Sequence, residues 1–229
     1  MQAIVFGGQR QISLSQAPWP QPAAGEVLLR VLRTALCGSD TKLWQRGAEH
    51  TPGHEIFGVV DQPGHALHGR RCCVFMPVHC GHCASCARGD THLCLSESTL
   101  LGWNRPGGYA QALAVPEQCL MPVPDDIDDD LAPLLLDTIG TAAHGLRTVQ
   151  PLLPGAQADL LITGAGPVGL GALVAAQELG WRQIWVSDPR PGRLARAGRR
   201  RGAAAGGPHR AVRQRHQAVA ARGRAHPRP

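Results

Sequence analysis

Four cysteines fall within one short stretch, Cys80-Gly-His-Cys83-Ala-Ser-Cys86-Ala-Arg-Gly-Asp-Thr-His-Leu-Cys94, with gaps of two, two and seven residues. Four thiolates complete a tetrahedral shell around one zinc ion, and a short glycine-containing loop can fold around it. Disulfides are the competing chemistry. Three sulfurs crowded on one loop, behind an N-terminus with no basic region or cleavage site, argue against them. Iron–sulfur ligation also uses cysteines at two-residue gaps, but the gap of seven favours zinc. A closed four-sulfur shell has no open coordination position, so this zinc would hold a lobe together and reactive chemistry must lie elsewhere.

It appears on both sides. Upstream, Cys37 lies in Thr34-Ala-Leu-Cys-Gly-Ser-Asp40, and Pro52-Gly-His-Glu55 follows. Cys37, His54 and an acid would supply sulfur, nitrogen and oxygen, a mixed set that a catalytic zinc uses while keeping one position open. Taken singly, Cys37 also reads as a small buried apolar residue and His54 as a loop histidine. Downstream, Asp159-Leu-Leu-Ile-Thr163 runs into Gly164-Ala-Gly166-Pro-Val-Gly169 and a helix over Val168–Leu179 that stops at Gly180. A strand, a Gly-x-Gly-x-x-Gly turn and a helix N-terminus make a cradle for pyrophosphate. Asp188 ends the next apolar run, 19 residues beyond Gly169. An acid there accepts from a ribose 2′-hydroxyl and repels a 2′-phosphate, so NAD is expected over NADP.

The ordered set resembles the zinc-dependent medium-chain alcohol dehydrogenase family: Cys-Gly-Ser-Asp, then Gly-His-Glu, then the four cysteines, then the glycine-rich turn. The resemblance runs from residue 1 to about 195. It implies two zincs. Cys37 and His54 would be ligands of a catalytic zinc. The third would be Asp137, the one charge after Leu134-Leu135-Leu136, with His144 as a rival on the same stretch. Glu55 would be the nearby carboxylate that can enter and leave the zinc shell. Ser39 would pass the substrate proton, and Asp40 would orient His54. Cys80, Cys83, Cys86 and Cys94 would hold the structural zinc. Arg193 would lie beside the adenosine ribose, with Gly164, Gly166, Gly169 and Asp188 as the other cofactor contacts. Many members carry a proton-relaying histidine where this chain has Lys42. The implied reaction is hydride transfer between an alcohol carbon and NAD, with a small alcohol or carbonyl compound as substrate.

These residues need particular elements to position them. Ala3–Phe6, Gln11–Leu14, Val27–Leu32, Ile56–Val60 and Val74–Met76 read as short strands, with Gln11–Leu14 alternating as a half-buried strand does. Cys72, Cys73 and Cys119 read as buried strand residues, and His79, His82 and His92 as bystanders to the cysteines. Gly107-Gly-Tyr-Ala110 resembles the family's start of a strand. The run Asp125–Asp130 reads as acids at the start of a helix. The expected fold class is mixed β and α/β. A GroES-like β-barrel domain spans 1–145, an incomplete Rossmann-type domain 146–194, and a basic tail, disordered or out of frame, 195–229.

The totals set the limits. The 229 residues are 43% hydrophobic and 4% aromatic, and no apolar run approaches the ~18 residues of a membrane span. A cytoplasmic home without membrane association is expected. The formal net charge of +6 hides two kinds of sequence: residues 191–229 carry 11 arginines and no acid, and all 17 acidic residues precede them. After Leu194 there is no Leu, Ile, Phe, Tyr or Trp, too little to bury a core. With a single lysine against many arginines, this reads as a frame shift in a GC-rich gene just after Arg193. An inactive, zinc-binding fragment without the family's dimer contacts is then expected. The alternative is a non-catalytic zinc protein whose basic tail binds nucleic acid, a partner not otherwise expected.

Overall fold

The structure, a computed structural model, describes residues 1–96, 99–153, 159–181, 183–198 and 210–212. The chain divides into two compact units, Met1–Asp137 and Thr138–Pro229. The boundary expected from the sequence stood after residue 145; the helix Gly140–Val149 instead groups with the second unit.

The first unit opens with β1 (Gln2–Gly8) and β2 (Gln11–Gln16), an antiparallel hairpin. Its turn residues Gln9 and Arg10 both have positive φ (47° and 63°), the left-handed pair that suits the twist of a tight hairpin. β2 is not half-buried as its alternation suggests. Ile12 and Leu14 are 58% and 63% exposed, because β2 pairs only with β1 and has no second layer over its apolar face among the described residues. Next come β3 (Glu26–Ala35), α1 (Asp40–Arg46), β4 (Glu55–Val60) and β5 (Arg71–Val74), then β6 (Pro77–Val78), α2 (Ala84–Ala87) and β7 (Thr99–Leu100), and finally β8 (Ala112–Pro116) and β9 (Leu120–Pro122). Five of these strands form an antiparallel sheet in the order β8-β3-β4-β5-β9. Its inward residues Val27, Leu29, Ile56, Val60, Cys72, Val74, Leu113 and Val115 make one core. Gly58 is needed where β4 crosses β3, since a Cβ there would come within 2.3 Å of the Arg30 carbonyl oxygen.

The acidic run is not a helix start. Asp125 and Asp126 lie in a turn, and Arg71 donates to the carbonyls of Pro124, Asp125 and Ile127 and to the Asp129 carboxylate. One guanidinium with several donors thus gathers the loop that a helix dipole would otherwise have used. The following stretch is not a plain α-helix either. A 3-10 turn, Ala132–Leu134, gives way to a π-helical turn, Leu135–Ile139, and only then to α3 (Gly140–Val149).

The second unit holds β10 (Asp159–Thr163), α4 (Pro167–Glu178), β11 (Gln183–Ser187), α5 (Pro191–Gly198) and β12 (Arg210–Val212), with the strands parallel in the order β10-β11-β12. A parallel pair bridged by a helix is the βαβ unit that the sequence predicts. Leu173, Ala176, Ile184, Val186 and Leu194 form its core, together with Leu146 of α3. Within the segment expected to lack structure, α5 continues to Gly198, and Arg210–Val212 pairs with Trp185–Ser187. The rest of that expectation lies outside the described residues. Among the described residues no helix is long and apolar enough to cross a membrane.

Candidate active site

Cys37 lies between the end of β3 and the start of α1, His54 immediately before β4, and Asp137 in the π-helical turn. Three segments far apart in sequence thus meet, and one donor atom from each lies within 4.8 Å of the others. His54 Nε2 is 3.3 Å from Asp137 Oδ2, and Cys37 Sγ is 4.0 Å from the same oxygen. Ligands around a tetrahedral zinc stand about 3.3–3.8 Å apart, given bonds of about 2.0–2.3 Å, so this set fits such an ion. A π-helical turn packs one extra residue into its coil and recurs at functional sites. Here it carries Asp137, while His144, a turn or two on, is exposed on α3 and outside the cluster.

The surroundings of His54 are acidic and buried. His54 is 4% exposed, Glu55 3% and Asp40 0%. Burial alone pulls the His54 imidazole down. Hydrogen bonds with Asp137 and Cys37 and the Asp40 charge outweigh it and raise His54 to about 9. Asp40 Oδ2 accepts the Cys37 backbone N–H at 2.9 Å, and Asp40 Oδ1 faces His54 Nδ1 at 3.6 Å. A partner for the non-ligating ring nitrogen is a usual need of a metal-bound histidine. Ser39 is half-buried at the N-cap of α1, and Lys42 is exposed on that helix. Sequence reasoning missed Tyr109. Its hydroxyl donates to Asp40 Oδ2 at 2.7 Å. The signal was present as Gly107-Gly108-Tyr109, but it read only as the start of a strand.

The four cysteines also converge, with all four sulfurs within 4.8 Å of one another. None is disulfide-bonded, and Cys80 Sγ stands 3.9 Å from Cys86 Sγ. That spacing suits one ion; a cluster of several irons would hold the sulfurs farther apart. Backbone N–H groups of Cys83, Leu95 and Cys80 point at the sulfurs of Cys80, Cys83 and Cys94, at 3.3, 3.5 and 3.4 Å. Such bonds favour thiolate. The Ser96 hydroxyl first, then the His82 and Cys83 amides, bring Cys80 down to about 5, while burial pushes Cys86 up to about 12. His79, His82 and His92 stay outside the group.

In the second unit the chain turns at Gly164 (φ +103°) between β10 and α4. A Cβ on Gly169 would lie 1.8 Å from the Gly164 carbonyl oxygen, so only glycine lets α4 start this close to the strand. Arg193 Nη1 stands 3.5 Å from where a Gly166 Cβ would be and 3.6 Å from Asp188 Oδ2. Asp188 is 3% exposed and turned into the loop rather than out to solvent. Its oxygens accept the Ala165 N–H at 2.9 Å and the Arg190 N–H at 2.8 Å. The Arg190 N–H above all holds the carboxyl below its usual range, against a burial penalty.

Comparison with known proteins agrees with this geometry. Residues 23–125 match the alcohol dehydrogenase GroES-like domain. The L-threonine 3-dehydrogenase of Mesorhizobium japonicum is 36% identical over 199 residues, 81% of this chain and 56% of that enzyme. The chain therefore spans little more than half the length of the curated relatives it matches. An E. coli protein described as a short chain alcohol dehydrogenase, rspB, was solved with NADH; it superposes with a TM-score of 0.75 at 28% identity, covering 91% of this chain and 62% of its own. A cobalt- and zinc-bound thermostable alcohol dehydrogenase from Pyrobaculum aerophilum superposes with a TM-score of 0.74 at 27% identity, covering 86% and 62%. With motif order, domain match, relatives and fold in agreement, residues 23–125 belong to the alcohol dehydrogenase GroES-like domain family, and the chain as a whole resembles zinc-dependent alcohol dehydrogenases.

Proposed function

We propose that this chain carries the metal-binding and dinucleotide-binding parts of an NAD-linked oxidoreductase acting on a small secondary alcohol. The convergence of Cys37, His54 and Asp137 donors within 4.8 Å carries the reading. Three protein ligands leave a fourth position, and a zinc held there would polarise an alcohol oxygen as a Lewis acid. Cys37 and Asp137 bring negative charge to balance the ion, and Asp40 orients His54. Ser39, half-buried at the start of α1, takes the proton of the substrate hydroxyl. Glu55 places a buried carboxyl group beside the ligands. Cys80, Cys83, Cys86 and Cys94 hold a second zinc with no open position.

In the second unit, Gly164, Gly166 and Gly169 give backbone room for pyrophosphate at the start of α4. Asp188 braces that loop and accepts from the adenosine ribose, with Arg193 alongside. An acid at this place supports NAD, because it would accept from a ribose 2′-hydroxyl and repel a 2′-phosphate. L-threonine is the first substrate to test, because L-threonine 3-dehydrogenases recur among the relatives at 34–37% identity.

Metal analysis of the purified chain tests this directly. Two zincs per chain are expected, and one in Asp137→Asn or Cys37→Ser. A single zinc in the unaltered chain would overturn the mixed site. NADH binding, read by fluorescence, should weaken in Asp188→Ala, while little or no NAD reduction with L-threonine is expected from a chain of this length.

A further inference from the structure

Asp40 touches two proposed ligands at once. Its Oδ2 accepts the backbone N–H of Cys37 at 2.9 Å, and its Oδ1 stands 3.6 Å from His54 Nδ1. The carboxylate is fully buried, so its orientation depends on its donors. One is Tyr109, whose hydroxyl lies 2.7 Å from Oδ2 and 3.2 Å from the Ala35 carbonyl oxygen. A phenol has one proton, and the shorter, charge-assisted contact is the stronger claim on it.

The backbone fixes the phenol. Gly107, Tyr109 and Gly108 donate their N–H groups to the carbonyls of Thr51, Pro52 and Gly53, at 2.8, 3.0 and 2.8 Å. Gly53, the residue before His54, has φ +95°, and a Cβ there would come within 2.7 Å of the Tyr109 ring. Phe6 packs beside the ring, with centroids 5.9 Å apart. The segment that delivers His54 and the ring that holds Asp40 are therefore built together.

We infer that Tyr109 is a positioning residue of the mixed site: its hydroxyl holds the Asp40 carboxylate so that one oxygen fixes the Cys37 backbone and the other faces His54 Nδ1. The inference rests on reading Cys37, His54 and Asp137 as a metal site. Without the hydroxyl, Oδ2 keeps the Cys37 N–H but loses its shorter contact, and the carboxylate can turn. Losing an outer partner such as Asp40 typically costs a metal site about 10–100-fold in affinity, and Tyr109 acts through that carboxylate.

The test uses the full chain with zinc in the four-cysteine lobe and cobalt(II) titrated into the mixed site, followed by visible absorption. Tyr109→Phe keeps the ring on Gly53 and removes only the hydroxyl. It should weaken cobalt binding at least about tenfold and shift the cobalt bands. Asp40→Asn should do the same, and adding Tyr109→Phe to it should cost little more, because both act through one carboxylate. Tyr109 is the sole tyrosine. Growth on 3-fluorotyrosine therefore labels this ring alone, and its fluorine resonance should move on zinc loading in the unaltered chain but not in Asp40→Asn. The fluorine measurement decides the matter if Tyr109→Phe does not fold. Unchanged cobalt affinity and bands in Tyr109→Phe, or a fluorine shift indifferent to Asp40, overturn the inference. An unaltered chain that takes up no cobalt at the mixed site overturns the metal reading itself.

Discussion

At the scale of single residues, the eight cysteines sort into two chemical classes. Cys72, Cys73 and Cys119 are 0–1% exposed, and burial pushes the thiols of Cys73 and Cys119 up to about 12 and 11. Thiolate is the reactive form, so a pKa raised this far leaves almost none near neutrality. The other five line the two candidate metal groups. In the zinc-loaded chain, a thiol reagent at pH 8 should find almost no fast-reacting sulfur. A strong chelator should release five, and the last three should react only on denaturation. More than five before denaturation would mean that the sheet core is looser than its packing implies. His54 belongs to this scale too. It read in isolation as a loop histidine; what changes its meaning is a set of neighbours from residues 37, 40 and 137, none of them near it in sequence.

At the scale of elements, two glycines in helices of the second unit make opposite predictions. Gly145 lies within α3, and a Cβ there meets nothing within 4 Å. Gly145→Ala should stabilise the unit by up to about 1 kcal/mol, the propensity difference in a helix interior. Gly171 lies within α4, and a Cβ there would come 2.7 Å from the Thr138 carbonyl oxygen, a backbone atom that cannot rotate away. Gly171→Ala should destabilise by about 1–3 kcal/mol as overpacking does. Urea denaturation of each variant measures both signs. Equal effects would refute the close approach of α4 to the chain at Thr138. The π-helical turn shows the limit of periodicity. Leu134–Leu136 reads as helix, and it is helical, but the extra residue per turn that sets the direction of Asp137 leaves no mark in the hydrophobic pattern. The acidic run failed for a related reason. Five Asp within Asp125–Asp130 look like a helix start until Arg71, remote in sequence, supplies the donors.

At the scale of the whole molecule, the parts differ in what holds them. The sheet of the first unit has a continuous apolar core, whereas α2 buries only Ser85, and Leu93 and Leu95 are 56% and 74% exposed. A lobe with so little to bury would depend on a metal held by its four cysteines. Removing zinc should open residues 80–96 to proteolysis while the far-ultraviolet dichroism of the β-sheet persists. Loss of both together would tie the sheet to the metal as well. Sequence alone determined the family, the four-sulfur group and the glycine-rich turn, because ligands or glycines at short fixed gaps are local facts that survive any fold. It also limited the apolar content of the last stretch, although it did not foresee that Arg210–Val212 would pair with β11. Only the tertiary structure decided that Asp137 rather than His144 meets Cys37 and His54, that Asp188 turns into its own loop, and that Tyr109 grips Asp40. Those contacts join segments from about 20 to 100 residues apart, and their geometry depends on packing and backbone approach, which no local pattern encodes.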